Sequence, residues 1–449
     1  MRMKNPKPVS SMYTRLLLIV IPFAALGSPS VASEPISFTA TIAPLLKTHC
    51  LTCHDSELAE ADYRVDTYQH LMKGVNGADA VVPEQPDKSR LYLVLVETDE
   101  DERMPAESDP LPATTIALIK DWIKQGATFD GRSTNQPIVE MLPDLEHPLP
   151  PEQYPAPIPL SALALDPSQN ELFVGGYHEI TQWKMNGELA RRFSNQGERT
   201  YSIDLHPTLP RLISASGTPG VLGEVRLFDL SSGKVMSVLT KTDEVIMDAR
   251  YSPDGKTIAV AMPDGSTRLL DSETGQEKTN LPGHSDQVLA IRWHQNGQFL
   301  ATASRDHTAK IFDTVSGASI ATFTGHTKAV NDVAFLNGDE AVSVSNDGTA
   351  QLWNIRNGKR IREIASTKKP LISIACSPEK FAISGAISTQ YFRTNGTQPL
   401  ERISNSDAWT TIAAFDETGK IFVSGTQSGE VFIHSDQNEP SRFKAIPGH

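Results

Sequence analysis

The spacing of hydrophobic residues changes several times along this chain, and each change marks a different kind of structure. From Leu16 to Leu26 apolar residues run almost unbroken, interrupted only by Pro22. Phe38, Ile42, Leu45 and Leu46 then recur at helical spacing, which predicts an amphipathic helix. Pro44 is compatible with that helix only if its regular part starts near Ile42. A second helix is predicted where Ile116, Ile119 and Ile123 fall on one face, with Trp122 beside them and Gly126 as a left-handed stop. Beyond residue 160 the pattern switches to short alternating runs such as Ala259-Val260-Ala261-Met262, which read as strands.

Those strands repeat. Strand-then-turn segments occur at Leu165-Asp166-Pro167, Leu205-His206-Pro207, Tyr251-Ser252-Pro253, Trp293-His294-Gln295, Phe335-Leu336-Asn337, Cys376-Ser377-Pro378 and Phe415-Asp416-Glu417. The residues closing them, at 166, 206, 252, 294, 336, 377 and 416, are separated by 40, 46, 42, 42, 41 and 39 positions. A period near forty with four short strands per unit predicts a β-propeller of seven blades over residues 157–449. The strand-ending pairs Phe228-Asp229, Leu270-Asp271, Phe312-Asp313 and Trp353-Asn354, with Gly283-His284 and Gly325-His326, resemble WD repeats. That resemblance implies a hydrogen-bonded set of His326, Ser345, Asp347 and Trp353 in one blade. In its neighbour it implies His284, Ser304 and Asp306, with Phe312 in place of tryptophan. These residues are expected to be scaffold. Both end repeats carry their own four strands, so the way the ring closes is left open.

Candidate chemistry lies ahead of the propeller. Cys50-Leu51-Thr52-Cys53-His54 reads as a covalent c-type haem attachment site. Two thiols two residues apart can each add to a vinyl group of one haem, and the following imidazole can ligate the iron. Zinc ribbons and thioredoxin-like dithiols also use Cys-x-x-Cys, but no second cysteine pair completes a zinc site. The remaining cysteine, Cys376, lies in an apolar run and is expected as a buried core thiol. For the sixth ligand, Met104 stands before Pro105 in a polar, turn-rich segment, as a thioether presented from a loop. Met72, His49 and His70 are the competitors. Met72 is expected in the core and the two histidines at the surface, and a bis-histidine or open iron remains the alternative.

Several further motifs occur in order: Val65-Asp66-Thr67, Gly74 to Gly77, Pro83, Pro86, Ser89-Arg90-Leu91, Met104-Pro105 and Asp121-Trp122-Ile123 ending in Gly126-Ala127. With Cys50–His54 they resemble the planctomycete-type cytochrome c domain across 37–127. Glu84 departs from the family's habit of a glycine after proline, and Ala106 from a second proline after the methionine. The resemblance implies a small all-α, class I-like cytochrome c domain over 34–127, carrying one covalent haem c. Its iron ligands would be His54 on the proximal side and Met104 on the distal side.

The start of the chain gives the setting. Arg2, Lys4, Lys7 and Arg15 precede the Leu16–Leu26 run, and Val31-Ala32-Ser33 offers a cleavage site, so 1–33 reads as an export signal cut after Ser33. An uncleaved anchor is the alternative. Between the two domains, prolines at 137, 143, 148, 150, 151, 155, 157 and 159 suggest a semi-extended linker over 128–156, with Met141 and His147 solvated. The net charge of −13 falls to −17 when the four leader cations are removed. Such a balance argues against nucleic acid and anionic lipid surfaces and for cationic partners. Glu97, Asp99, Glu100, Asp101 and Glu102 run directly into Arg103 and Met104, as a solvated turn or as a field steering a basic redox protein.

The function that follows is periplasmic electron transfer by a monohaem cytochrome, with the propeller docking a protein partner and no membrane span once the signal is cut. Two alternatives remain. One is an oxidoreductase with a second site in the propeller mouth, and the other is a haem-based sensor with an open iron position.

Overall fold

In a computed structural model of the protein, residues 35–445 are described apart from 56–58, 76–78, 107, 132, 167, 337, 387, 395, 397–398, 405–407, 417 and 436–437. The proposed leader, 1–33, and part of the glycine-rich 74–77 segment lie outside the described residues.

The helical region begins where Ser37 Oγ accepts the Ala40 amide (2.9 Å), capping a single π-turn, Phe38–Ile42. This turn runs into α1 (Ala43–His49), whose first turn holds Pro44, where a missing amide costs nothing. Helices α2 (Tyr68–Lys73), α3 (Arg90–Leu95) and α4 (Ala113–Lys124) follow. Thr67 caps α2 through its hydroxyl on the His70 amide (3.1 Å). The two periodic faces meet as expected, and Phe38, Ile42, Leu46, Ile119, Trp122 and Ile123 are buried together with Leu71 and Leu95. Burying each such large side chain contributes about 1.5–3 kcal/mol. Trp122 is fully buried, and its indole N–H donates to Thr128 O (3.1 Å). Gly126 ends α4 at φ +97°, a conformation that favours glycine.

Seven four-stranded antiparallel sheets make up the propeller. Its blades span 163–193, 199–242, 249–281, 288–323, 330–366, 371–404 and 410–444. The first and last blades each keep four strands of their own, so no strand is exchanged at the seam. Closure comes from the segment leading into blade 1. Leu160 N donates to Thr426 O (3.1 Å), and Leu160 O accepts the Thr411 hydroxyl. Side chains of both blades then pack as one core that includes Leu160, Leu172, Trp183, Val423 and Ile433.

The proline-rich stretch departs from a free tether. A short helix, α5 (Ile138–Met141), buries Ile138 and Met141 in the core of the helical domain. Carbonyls of the following residues take propeller cations: Arg226 donates to Leu145 O (2.6 Å) and Arg192 to Pro151 O (2.6 Å). His147, expected in solvent, has a side chain only 9% exposed, with Nε2 2.5 Å from Glu224 Oε1. Proline-rich chain cannot pair its own backbone, but its carbonyls remain acceptors, and long cations on a neighbouring surface satisfy them.

Candidate functional site

α1 leads directly into the cysteine motif. Cys50 N donates to Leu46 O (2.9 Å), Cys53 N to Cys50 O (3.3 Å) and His54 N to Cys50 O (3.1 Å), so the motif coils as a turn extending the helix. Cys50 and Cys53 are both free thiols, the first half-buried and the second exposed. Burial, reinforced by the Cys53 thiol, pushes Cys50 up to about 12, so it stays protonated at neutral pH.

His54 is held from one side. Its Nδ1 lies 3.1 Å from Tyr63 O, and since a carbonyl only accepts, Nδ1 carries the proton. That bond leaves Nε2 as the nitrogen a metal could take. The Tyr63 ring meets the imidazole edge-on at 5.5 Å, and Tyr63 is itself fixed by its hydroxyl donating to Leu71 O (2.9 Å). Val65 N closes on His54 O (2.8 Å). Anchoring one ring nitrogen to a carbonyl sets the tautomer and aim of a metal-ligating histidine.

Met104 comes from the α3–α4 connection. Its amide donates to Val94 O (2.9 Å), and its side chain, half-buried, packs on the same core as Cys50. The Met104–Pro105 peptide is cis. Among the competitors, Met72 packs against that core too, half-buried. His70, expected at the surface, is half-buried, with Nδ1 3.0 Å from Asp66 Oδ1. His49, also expected there, is half-buried at the end of α1. The donor set therefore suits a c-type haem: two free thiols on one turn, an imidazole anchored through Nδ1, and a thioether on the same core.

The acidic run forms a turn folded on itself. Glu97 Oε1 accepts the Thr98 (2.7 Å) and Asp99 (3.3 Å) amides, and these bonds hold its carboxyl below the usual range. Asp99 Oδ1 accepts the Asp101 amide (3.0 Å). Asp99, Glu100, Asp101 and Glu102 stay exposed.

In the propeller, the histidine networks are scaffold, with one correction to their membership. Trp353 Nε1 donates to Ser343 Oγ (3.2 Å), Ser343 pairs with His326 Nε2 (2.9 Å), and His326 Nδ1 meets Asp347 Oδ2 (3.0 Å). The serine bonded to the histidine is Ser343; Ser345, one step along the same face of the strand, donates to Lys328 O (3.1 Å) and accepts the Asp347 amide (3.0 Å). In the neighbouring blade His284 likewise bridges Asp306 (2.9 Å) and Thr302 (2.7 Å), while Ser304 turns to Asp286 O (3.0 Å). Period-two alternation gives both hydroxyls the same face, so spacing alone does not choose between them.

Sequence reading missed a charged belt in the channel. Arg292 lies 2.8 Å from both Asp248 and Asp332, and those carboxylates accept the Ile291 and Ile374 amides (2.9 Å each) of the next blade's inner strand. The repeat register carried the signal. Asp248 and Asp332 each stand three residues before the aromatic that ends an inner strand, Tyr251 or Phe335. Each carboxylate thus stitches neighbouring blades together.

Comparison with known families agrees with this division of the chain. Residues 50–108 match the family Planctomycete cytochrome C. Residues 275–313 and 317–354 match the WD domain, G-beta repeat, and 221–290 match the Anaphase-promoting complex subunit 4 WD40 domain. No curated protein matches the chain.

Proposed function

Because the chain joins a planctomycete-type cytochrome c domain to a seven-bladed WD-repeat propeller, we propose that it is a periplasmic monohaem cytochrome that transfers electrons while the propeller docks a protein partner. The cytochrome c match implies haem c, and the WD repeats suggest a protein-interaction scaffold. Haem c supplies a one-electron iron couple. Cys50 and Cys53 would anchor it as thioethers, His54 would offer Nε2 to the iron, and Met104 would offer its sulfur on the other side. The observation that carries this reading is His54, directly after the Cys50 and Cys53 turn, whose Nδ1 bond to Tyr63 O leaves Nε2 as the nitrogen a metal could take.

A thioether opposite an imidazole raises the potential and closes the iron to small ligands, which suits electron transfer rather than gas sensing. Export rests on the basic and apolar segments before Glu34. Among the described residues, no helix is long and apolar enough to cross a membrane. The partner would be a redox protein basic at its docking face, given the charge of this chain.

The test is production in a host competent in cytochrome c maturation, followed by optical spectra of both redox states. Sharp low-spin bands on reduction, unchanged by carbon monoxide, support the reading. A protein that binds carbon monoxide rapidly in the reduced state has an open iron, and the electron-carrier reading then fails in favour of a sensor.

A further inference from the structure

We infer that Arg103 is the protein's partner for a haem propionate, a role that rests on the haem reading above. The inference starts from an inventory of the helical domain's cations. Arg64 pairs with Asp66 (2.5 Å), Lys124 with Asp121 (3.6 Å), and Lys47 reaches Val221 O on the propeller (2.9 Å). Lys120 lies over the Tyr92 ring, 4.9 Å from its centre, while Lys73, Lys88 and Arg90 are exposed to water. Arg103 differs from all of these. It is half-buried, its Nε is shielded from solvent, and that nitrogen has no hydrogen-bond partner.

The lack of a partner is not for want of local carboxylates. Five acids occupy positions 97–102, immediately before it, yet none forms an ion pair with Arg103 among the described residues. Glu97 and Asp99 are instead committed to backbone amides of their own turn. The chain is also fixed on both sides of the arginine: Arg103 N donates to Asp99 O (2.9 Å) and Met104 N to Val94 O (2.9 Å). A guanidinium held half-buried beside the proposed distal ligand, with an orphaned donor, is costly unless an anion comes to it. Arginine presents a planar fork that matches a carboxylate with two parallel N–H···O bonds. Haem brings two carboxylates to this domain, and the Met104 loop has to lie against the macrocycle if its sulfur reaches the iron.

Such a pair has an electrostatic consequence. A fixed cation near the haem favours the reduced state, which carries one positive charge less, so Arg103 would raise the potential. It would act as a positioning residue, orienting the haem edge rather than ligating iron.

The experiment uses the full-length holoprotein carrying Arg103→Gln or Arg103→Lys, and reads two quantities. One is the reduction equilibrium from a spectroelectrochemical titration, and the other is the propionate bending band in resonance Raman spectra. Arg103→Gln is expected to shift the band and to disfavour reduction about tenfold, which is about 59 mV for a one-electron couple. Arg103→Lys, which keeps the charge and loses the fork, is expected to restore most of the potential but leave the band shifted. If both variants retain the parent's band and potential, the inference is overturned even when their melting temperatures drop. A parent protein without covalent haem overturns the haem reading itself, so the two failures are told apart by the parent's spectrum.

Discussion

His54 holds its Nδ1 3.1 Å from the carbonyl oxygen of Tyr63, and this single bond decides which nitrogen the ring can offer to a metal. Because the anchor is a backbone carbonyl, it survives any substitution of the Tyr63 side chain that keeps the local fold. We therefore expect His54→Ala to leave haem attached through both cysteines but to convert the reduced spectrum from low-spin to high-spin. Tyr63→Phe, which removes only the hydroxyl bond to Leu71 O, should keep the low-spin spectrum. Optical spectra of the two variants check this. A high-spin Tyr63→Phe protein would show that the hydroxyl bond to Leu71 O, and not the carbonyl alone, sets the imidazole.

Met104 is expected to be the distal ligand. A thioether on ferric iron gives a weak far-red charge-transfer band, so Met104→Ala should abolish the band and lower the potential. Met72→Ala should preserve both, since that side chain packs on the core. A band that persists in Met104→Ala would move the ligand elsewhere.

The acidic turn is expected to steer partners at long range. Changing Glu97, Asp99, Glu100, Asp101 and Glu102 to their amides should slow reaction with a cationic redox protein severalfold at low salt. The difference should fade as ionic strength rises, and a small neutral reductant should react equally with both proteins. Stopped-flow rates against salt make the comparison, and coincident curves would leave the run as a solvated turn.

The propeller's histidine network gives a stability prediction with a definite sign. Burial pushes His326 below its ordinary value of 6.5, although Asp347 pulls it the other way. The folded state therefore favours the neutral ring, and the unfolded chain binds a proton first as pH falls. The contribution is complete above pH 6.5 and is lost as pH drops toward the depressed folded value. Ser343→Ala should cost about 1–3 kcal/mol, because it leaves Trp353 Nε1 and His326 Nε2 unpaired in the interior. Ser345→Ala should cost less, since it loses bonds to Lys328 O and the Asp347 amide but leaves the Trp353–Ser343–His326 link intact. Chemical denaturation of the two variants at pH 7 ranks them, and the reverse order would make Ser345 the hydroxyl that matters more to the blade.

How much of this was legible in the chain follows from what each pattern encodes. The forty-residue period and the Cys50–His54 motif are sequence-local, so the seven blades and the thiol pair on one turn could be read directly. The pairing of Ser343 rather than Ser345 with His326 depends on how deeply a side chain reaches across the blade, which period-two alternation leaves undecided. Tyr63 O as the anchor of His54 was invisible because any residue supplies a carbonyl. The strap at 138–151 was hidden by its prolines, since its order comes from Arg192, Arg226 and Lys241 on the propeller rather than from its own composition.

That strap is expected to fix the helical domain on the propeller. Arg226 and Glu224 are each 1% exposed, with Nε 2.6 Å from Oε1, so Arg226→Met takes the guanidinium from a buried carboxylate and leaves it His147, at a cost of up to about 3 kcal/mol. Limited proteolysis should then cut between residues 142 and 151 in the variant while sparing the parent. Equal resistance in both would mean the strap is held by other contacts.

The account depends most directly on covalent haem at Cys50 and Cys53, and intact mass after matured expression measures it. The parent chain should gain the mass of one haem and keep it through acid–organic extraction. The protein with both cysteines changed to alanine should have the mass of polypeptide alone. A parent whose haem extracts freely, or whose mass shows two unmodified thiols, would contradict the account.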